Sequence, residues 1–210
     1  LGLSEGNPIP VPKTFKEPEK PVPAPVERTG RPYTFKERKL TASELEYWQQ
    51  YGITPEILEQ YKVCSVVQFQ SENADGNPFS YSSTKEEPIY GYKNKRFIKL
   101  YRPFSKTRFL YGGNIGESYC FGLEQLPSKG DTLFITGGEK DVMSLAAHGF
   151  HAICFNSETV TVPPNIIYKL TFRFKHIILL YDMDATGVES AKKHEKQLCE
   201  YGVKRLLLPL

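Results

Sequence analysis

The sequence predicts an α/β protein: a parallel sheet with flanking helices, preceded by a small α+β subdomain. Three observations predict it. Over residues 126–210, short apolar runs alternate with helix-length segments, the pattern of strands covered on both faces and joined by helices. Residues 63–121 carry shorter alternating runs broken by turn residues, as hairpins do. Between them and the N-terminal stretch, residues 41–62 hold two helix-start signals in succession.

In chain order, residues 1–32 contain eight of the sixteen prolines, many in x-P-x-P rhythm, which predicts an extended, solvated linker or a Pro-rich ligand for a groove. Residues 33–125 are expected to form the α+β unit. Thr41-Ala-Ser-Glu44 is a capping box ahead of Leu45, Trp48 and Tyr51 at helical spacing, and Gly52 stops that helix. Thr54-Pro55 supplies the N-cap and first turn of a second helix through Ile57, Leu58 and Tyr61. Runs such as Phe97-Ile-Lys-Leu-Tyr101, separated by Asp75-Gly76-Asn77-Pro78 and Gly112-Gly113, read as strands and turns. Residues 126–210 then alternate strand and helix: strands at 133–136, 152–155, 177–181 and 205–208, helices at 142–148, 166–174 and 188–201.

Composition excludes several classes. No apolar run approaches the roughly 18 residues that span a membrane, and Leu1-Gly2-Leu3-Ser4 opens no signal peptide, so a cytoplasmic protein without a membrane partner is expected. The four cysteines, Cys64, Cys120, Cys154 and Cys199, form no C-x-x-C pair, against a zinc ribbon or disulfide framework. No G-x-x-x-x-G-K-[ST] loop occurs, so helicase activity has no support here. The chain lacks an initiator methionine and stops on an apolar run, as a piece of a longer protein would.

In open parallel sheets, ligands bind beyond the carboxyl ends of the strands. Those positions here are acidic: Gly137-Gly138-Glu139-Lys140-Asp141, Asn156-Ser157-Glu158, and Asp182-Met183-Asp184. A two-residue step on an extended segment turns Asp182 and Asp184 to the same side, where they can share a cation. Hard oxygen donors suit Mg2+ or Mn2+, and with them phosphate chemistry. Asp184 fits equally well as the N-cap of the following helix.

I-I-L-L-Y-D-M-D-A-T-G (Ile177 to Gly187) resembles the strand and D-x-D-x-x-G signature of Toprim domains, and L-F-I-T-G-G-E-K-D-V-M-S-L (Leu133 to Leu145) resembles that family's first strand, acidic turn and helix. The stretch Glu46 to Val63 is similar to the helical lead-in of phage and mitochondrial primase-helicases. The resemblance implies a Toprim-like domain, truncated at its C-terminal end, in a DNA primase-type nucleotidyltransferase that makes primers on single-stranded DNA. It implies metal ligands Asp182, Asp184 and Glu139, with Glu139 or Glu158 completing catalysis, and Lys140 beside a nucleotide phosphate. Partners would be template, nucleotides and a replicative helicase or helicase domain. The sequence departs from the family at Gly137, where Toprim proteins usually place a glutamate. That departure leaves open a degenerate module that binds nucleic acid without catalysis, and a Toprim nuclease would use the same acids.

Between Pro88 and Gly116 there are seven basic residues and no acidic one, interleaved with seven aromatics. That pairing suits phosphate neutralisation and base stacking, and equally a hairpin with aromatics inside and cations outside. Lys95, Arg96, Lys99, Arg102, Lys106 and Arg108 are the candidate nucleic-acid contacts.

Overall fold

The computed structural model describes residues 30–73, 75–116 and 119–208. The expected linker therefore lies almost wholly outside the described residues. Two compact units divide between Tyr119 and Cys120, a few residues before the expected junction.

In the first unit, β1 (Tyr33–Arg38) precedes two helices, α1 (Ala42–Gln49) and α2 (Pro55–Gln60). The capping box forms as the sequence requires: Thr41 accepts from the Glu44 amide, and Glu44 accepts the Thr41 amide at 2.8 Å. Thr54 caps α2. Five strands follow, β2 (Val63–Glu72), β3 (Pro78–Ser82), β4 (Tyr90–Lys93), β5 (Phe97–Tyr101) and β6 (Phe109–Gly113). They pair antiparallel in the order β1-β2-β4-β5-β6, with β3 also on β2. A bridge from Arg31 to Gly113 draws the two ends of the order together.

Strand alternation sorts this sheet into two faces. One carries Cys64, Val66, Phe69, Ile98 and Leu100, packed with Tyr33, Phe35 and Leu110. The other carries Tyr90, Tyr92, Lys99, Tyr101, Phe109 and Tyr111, as the β4–β5 and β5–β6 registers dictate. Helix α1 lies against this second face, with Tyr47 stacked on Tyr90 at 5.5 Å and Trp48 edge-on to the same ring at 4.9 Å.

The second unit alternates β7 (Gly130–Thr136), α3 (Glu139–Ala147), β8 (His151–Cys154), α4 (Pro164–Thr171), β9 (Phe174–Leu180), α5 (Ala185–Gln197) and β10 (Lys204–Arg205). The sheet is wholly parallel, in the order β10-β9-β7-β8, with Leu133 beside Ile177 and Ile135 beside Leu179. Leu133, Ile135, Ile153, Leu179, Leu170 and Leu198 form its core. At the amino-terminal edge, Arg173 donates to the carbonyls of Leu126 and Pro127 at 2.9 and 2.8 Å, tying the entering chain to β9.

Several boundaries differ from expectation: the expected helix over 166–174 ends at Thr171 and gives Phe174 to β9, which therefore starts three residues before the expected strand over 177–181, and α3 starts at Glu139 rather than at residue 142. Helix α5 begins at Ala185, three residues before the first apolar signal at Val188, because Asp184 rather than an apolar residue sets its start. The expected strand over 205–208 shrinks to Lys204–Arg205; Leu206 still donates to the Leu179 carbonyl at 2.9 Å, and Leu206, Leu207 and Leu208 are exposed. Among the described residues, no helix is long and apolar enough to cross a membrane.

Candidate active site

All four strands of the second unit run the same way, so the turns after β7, β8 and β9 meet at one edge. Each turn places its carboxylate by a separate local rule. After β9, Asp184 caps α5, its Oδ1 accepting the Gly187 amide at 2.8 Å. Residue 187 has to be glycine, because a Cβ there would collide with the Asp182 carbonyl oxygen. The glycine that ends the D-x-D-x-x-G pattern thus lets the backbone fold tightly enough to present both aspartates, and both are solvent-exposed.

After β7, the chain turns through Gly137 and Gly138 into α3, whose first turn holds Glu139 and Asp141. Glu139 is only 2% exposed. Asp141 is pushed up to about 6 by burial and then by the Asp182 carboxylate, with Lys140 opposing the rise. On sequence alone, Asp141 belongs to the acidic turn after the first strand, where only Glu139 and Lys140 carry assigned roles.

After β8, Glu158 comes to the position left open by Gly137. A Cβ on residue 137 would stand 3.2 Å from Glu158 Oε2. That oxygen is buried without a hydrogen-bond partner. Burial raises the carboxyl's proton affinity, and Asp182, Asp184 and Asp141 raise it further. The edge therefore gathers Asp141, Glu158, Asp182 and Asp184 within electrostatic reach of one another, with Glu139 and Lys140 on the adjoining turn. Beneath it, the Tyr181 hydroxyl meets His194 Nδ1 at 2.9 Å in the core.

Among the described residues, no three His, Cys, Asp or Glu side chains converge tightly enough to hold one metal ion between them. The donor set nonetheless fits Mg2+, which commonly takes one or two protein carboxylates and fills its other positions with water and phosphate. The partnerless Glu158 oxygen and the mutual repulsion of the acids fit a cation at the same edge.

Residues 134–210 match the model of the Toprim-like family. Solved structures match across both units. The chain has a Toprim primase-like fold. The DnaG catalytic core aligns with a TM-score of 0.60 at 18% identity, over 82% of this chain and 66% of that one. The primase fragment of the bacteriophage T7 primase-helicase aligns at 0.52 and 17%, over 77% and 64%. The E. coli primase catalytic core aligns at 0.56 and 16%, over 78% and 64%. The chain thus spans slightly less than two thirds of these three primases. No curated protein sequence matches it significantly.

The first unit of this primase-like fold carries the basic residues. Lys95, Arg96, Lys106 and Arg108 are exposed. Lys99 and Arg102 are not: they are 2% and 9% exposed. The Lys99 ammonium lies 4.7 Å from the Phe109 ring centroid, and Arg102 stacks on Tyr81 at 4.4 Å while facing Glu87 at 3.6 Å. Both act as packing cations, since an aromatic face replaces part of the hydration that burial removes.

Proposed function

We propose that this chain is the catalytic part of a DNA primase-type nucleotidyltransferase that uses Mg2+ or Mn2+ at the acidic edge of its Toprim-like sheet. The observation that carries this reading is the gathering of Asp141, Glu158, Asp182 and Asp184 from three separate turns onto one edge. Asp182 and Asp184 would hold the cation, joined by Glu139 should the buried turn open toward it. The bound cation supplies charge neutralisation for nucleotide phosphates and a more acidic 3′-hydroxyl. The tight Gly187 turn fixes Asp182 and Asp184, and so the place where a cation would meet the phosphates. Glu158, with a partnerless oxygen and raised proton affinity, takes the proton from the 3′-hydroxyl as it attacks the α-phosphate, breaking the bond to the β-phosphate and releasing pyrophosphate. Lys140 lies close enough to Asp141 to depress its proton affinity, and its charge suits a triphosphate at the same turn.

The exposed cations of the first unit would hold single-stranded template, and a replicative helicase or fused helicase domain is the natural partner. A primer-synthesis assay on single-stranded DNA with labelled nucleotides tests the reading. Wild-type chain should extend primers only with Mg2+ or Mn2+, and the double variant Asp182→Asn, Asp184→Asn should lose at least a hundredfold of that activity, a loss on the scale of a removed catalytic group. Equal activity in both would refute the assignment. Gly137 favours a second reading, a Toprim module that binds nucleic acid without catalysis. Oligonucleotide binding with no metal-dependent synthesis in the wild type would select it.

A further inference from the structure

Strand β6 reads Phe109-Leu110-Tyr111-Gly112-Gly113, and its alternation separates two roles. Leu110 packs into the aliphatic core, and Gly112 lies under the Tyr33 ring, where a side chain would collide. Phe109 and Tyr111 turn to the opposite face, beside Tyr101 and Lys99 of β5. On that face aromatic rings form a continuous ladder: Tyr92 stacks on Tyr101 at 6.4 Å and 17°, and Tyr101 stacks on Phe109 at 5.5 Å and 25°. Helix α1 covers the inner part of the ladder, with Tyr47 hydrogen-bonded to Tyr101. The cover ends there. Phe109 and Tyr111 are 37% and 39% exposed, and Phe104, on the turn between β5 and β6, is 61% exposed.

The Lys99 ammonium sits 4.7 Å from the Phe109 centroid and 5.9 Å from that of Tyr111, bracing both rings from the protein side. Cations flank the pair along the strand. Arg108 lies at one end, its guanidinium 6.0 Å from the Phe109 ring and hydrogen-bonded to the Tyr101 hydroxyl. Arg96 lies at the other, its carbonyl against Gly113. Lys95 and Lys106 extend the positive charge from the same two turns, and no acidic residue occurs between Pro88 and Gly116. Scattered exposed apolar residues are ordinary, but this group is aromatic, contiguous and flanked along its strand by positive charge.

We propose that Phe109 and Tyr111, flanked by Arg96 and Arg108, form a stacking platform for successive bases of a single-stranded polynucleotide. The inference rests on the template-holding part of the function proposed above. Side chains two apart on a strand lie roughly 7 Å from each other, a step that a splayed dinucleotide can span, with its phosphates reaching the end cations. Stacking on a π face reads no base edge, so the platform accepts any sequence.

Fluorescence anisotropy with the intact chain tests it, using a labelled short oligothymidylate, an oligomer of the same length with abasic residues, and an oligouridylate to separate DNA from RNA. Wild-type chain should bind the oligothymidylate at least about tenfold more tightly than the abasic oligomer, because the two share phosphates and differ only in bases. The variant Phe109→Leu, Tyr111→Leu, which keeps apolar bulk, should lose that preference, and Tyr111→Phe should retain it. Lys95→Gln, Lys106→Gln should weaken both DNA oligomers together and flatten the salt dependence. Equal binding of thymidylate and abasic DNA by wild type, with the lysine variant still weakened, would overturn the stacking platform and leave template holding by charge intact. Binding of no oligomer at all would overturn both.

Discussion

Asp184 has two jobs that a pair of substitutions can separate. Its Oδ1 caps α5 by accepting the Gly187 amide at 2.8 Å, and its charge is assigned to the cation. Asparagine offers the same oxygen with the same geometry but no charge; alanine offers neither. Losing the cap costs about 1 kcal/mol. Losing the charge at a helix N-terminus costs about 0.3–1 kcal/mol, but Asp184 also repels Glu158, so removing it returns part of that cost. In chelator, Asp184→Asn should therefore melt close to wild type. Asp184→Ala should lie about 1 kcal/mol lower, or roughly 4–8 °C for a unit of this size. In Mn2+ at tenfold excess over its Kd, wild type should gain about 1.4 kcal/mol, and neither variant should gain appreciably. Thermal melts by circular dichroism, paired with Mn2+ calorimetry, read both effects. If Asp184→Asn melts with Asp184→Ala, the cap is not what the side chain supplies. If Asp184→Asn binds Mn2+ as wild type does, the metal assignment fails.

Three further outcomes are expected. Gly187→Ala drives a Cβ into the Asp182 carbonyl, so it should abolish Mn2+ binding even where circular dichroism shows the fold retained. Tyr47→Phe removes a buried 2.9 Å hydrogen bond to Tyr101 and should lower stability by about 1 kcal/mol in urea denaturation, the modest value following because Arg108 still donates to Tyr101. Burial, then Lys193, holds His194 below its usual proton affinity, so the unfolded chain protonates first as pH falls through about 6.5. Stability should drop below that pH, and urea midpoints for His194→Gln should show a shallower decline between pH 7 and 5.5.

The features that were legible in the sequence are those fixed within a few residues. The Thr41–Glu44 box, the Thr54-Pro55 start and the Asp-x-Asp-x-x-Gly turn each satisfy backbone groups locally, and each stands where the pattern put it. Strand β1 was not legible. In Tyr33-Thr-Phe-Lys-Glu-Arg38 only Tyr33 and Phe35 face the core, and pairing with Ser71 through Ser65 supplies the rest of its reason to be a strand. The burial of Lys99 and Arg102 was hidden for the same cause: the rings that accept them, Phe109 and Tyr81, come from other strands. The nearness of Asp141 to Asp182 became visible only when β7 and β9 were set side by side, since the two are remote in sequence.

Long-range assembly has an energetic consequence at the acidic edge. Asp184 is held by a cap, Asp182 by the glycine turn, Asp141 by the first turn of α3, and Glu158 beside the gap at Gly137. None of these anchors requires a cation, so the carboxylates are gathered without one and repel one another. Asp141 and Glu158 both register this repulsion as raised proton affinity. Neutralising either should then stabilise the chain in chelator while weakening Mn2+ binding, the opposite of what a carboxylate in a structural ion pair would do. Asp141→Asn and Glu158→Gln, melted with chelator and with Mn2+, decide between the two. A lower melting temperature in chelator for both would mean that these acids are held by attraction, and that the edge was not built around an absent positive charge.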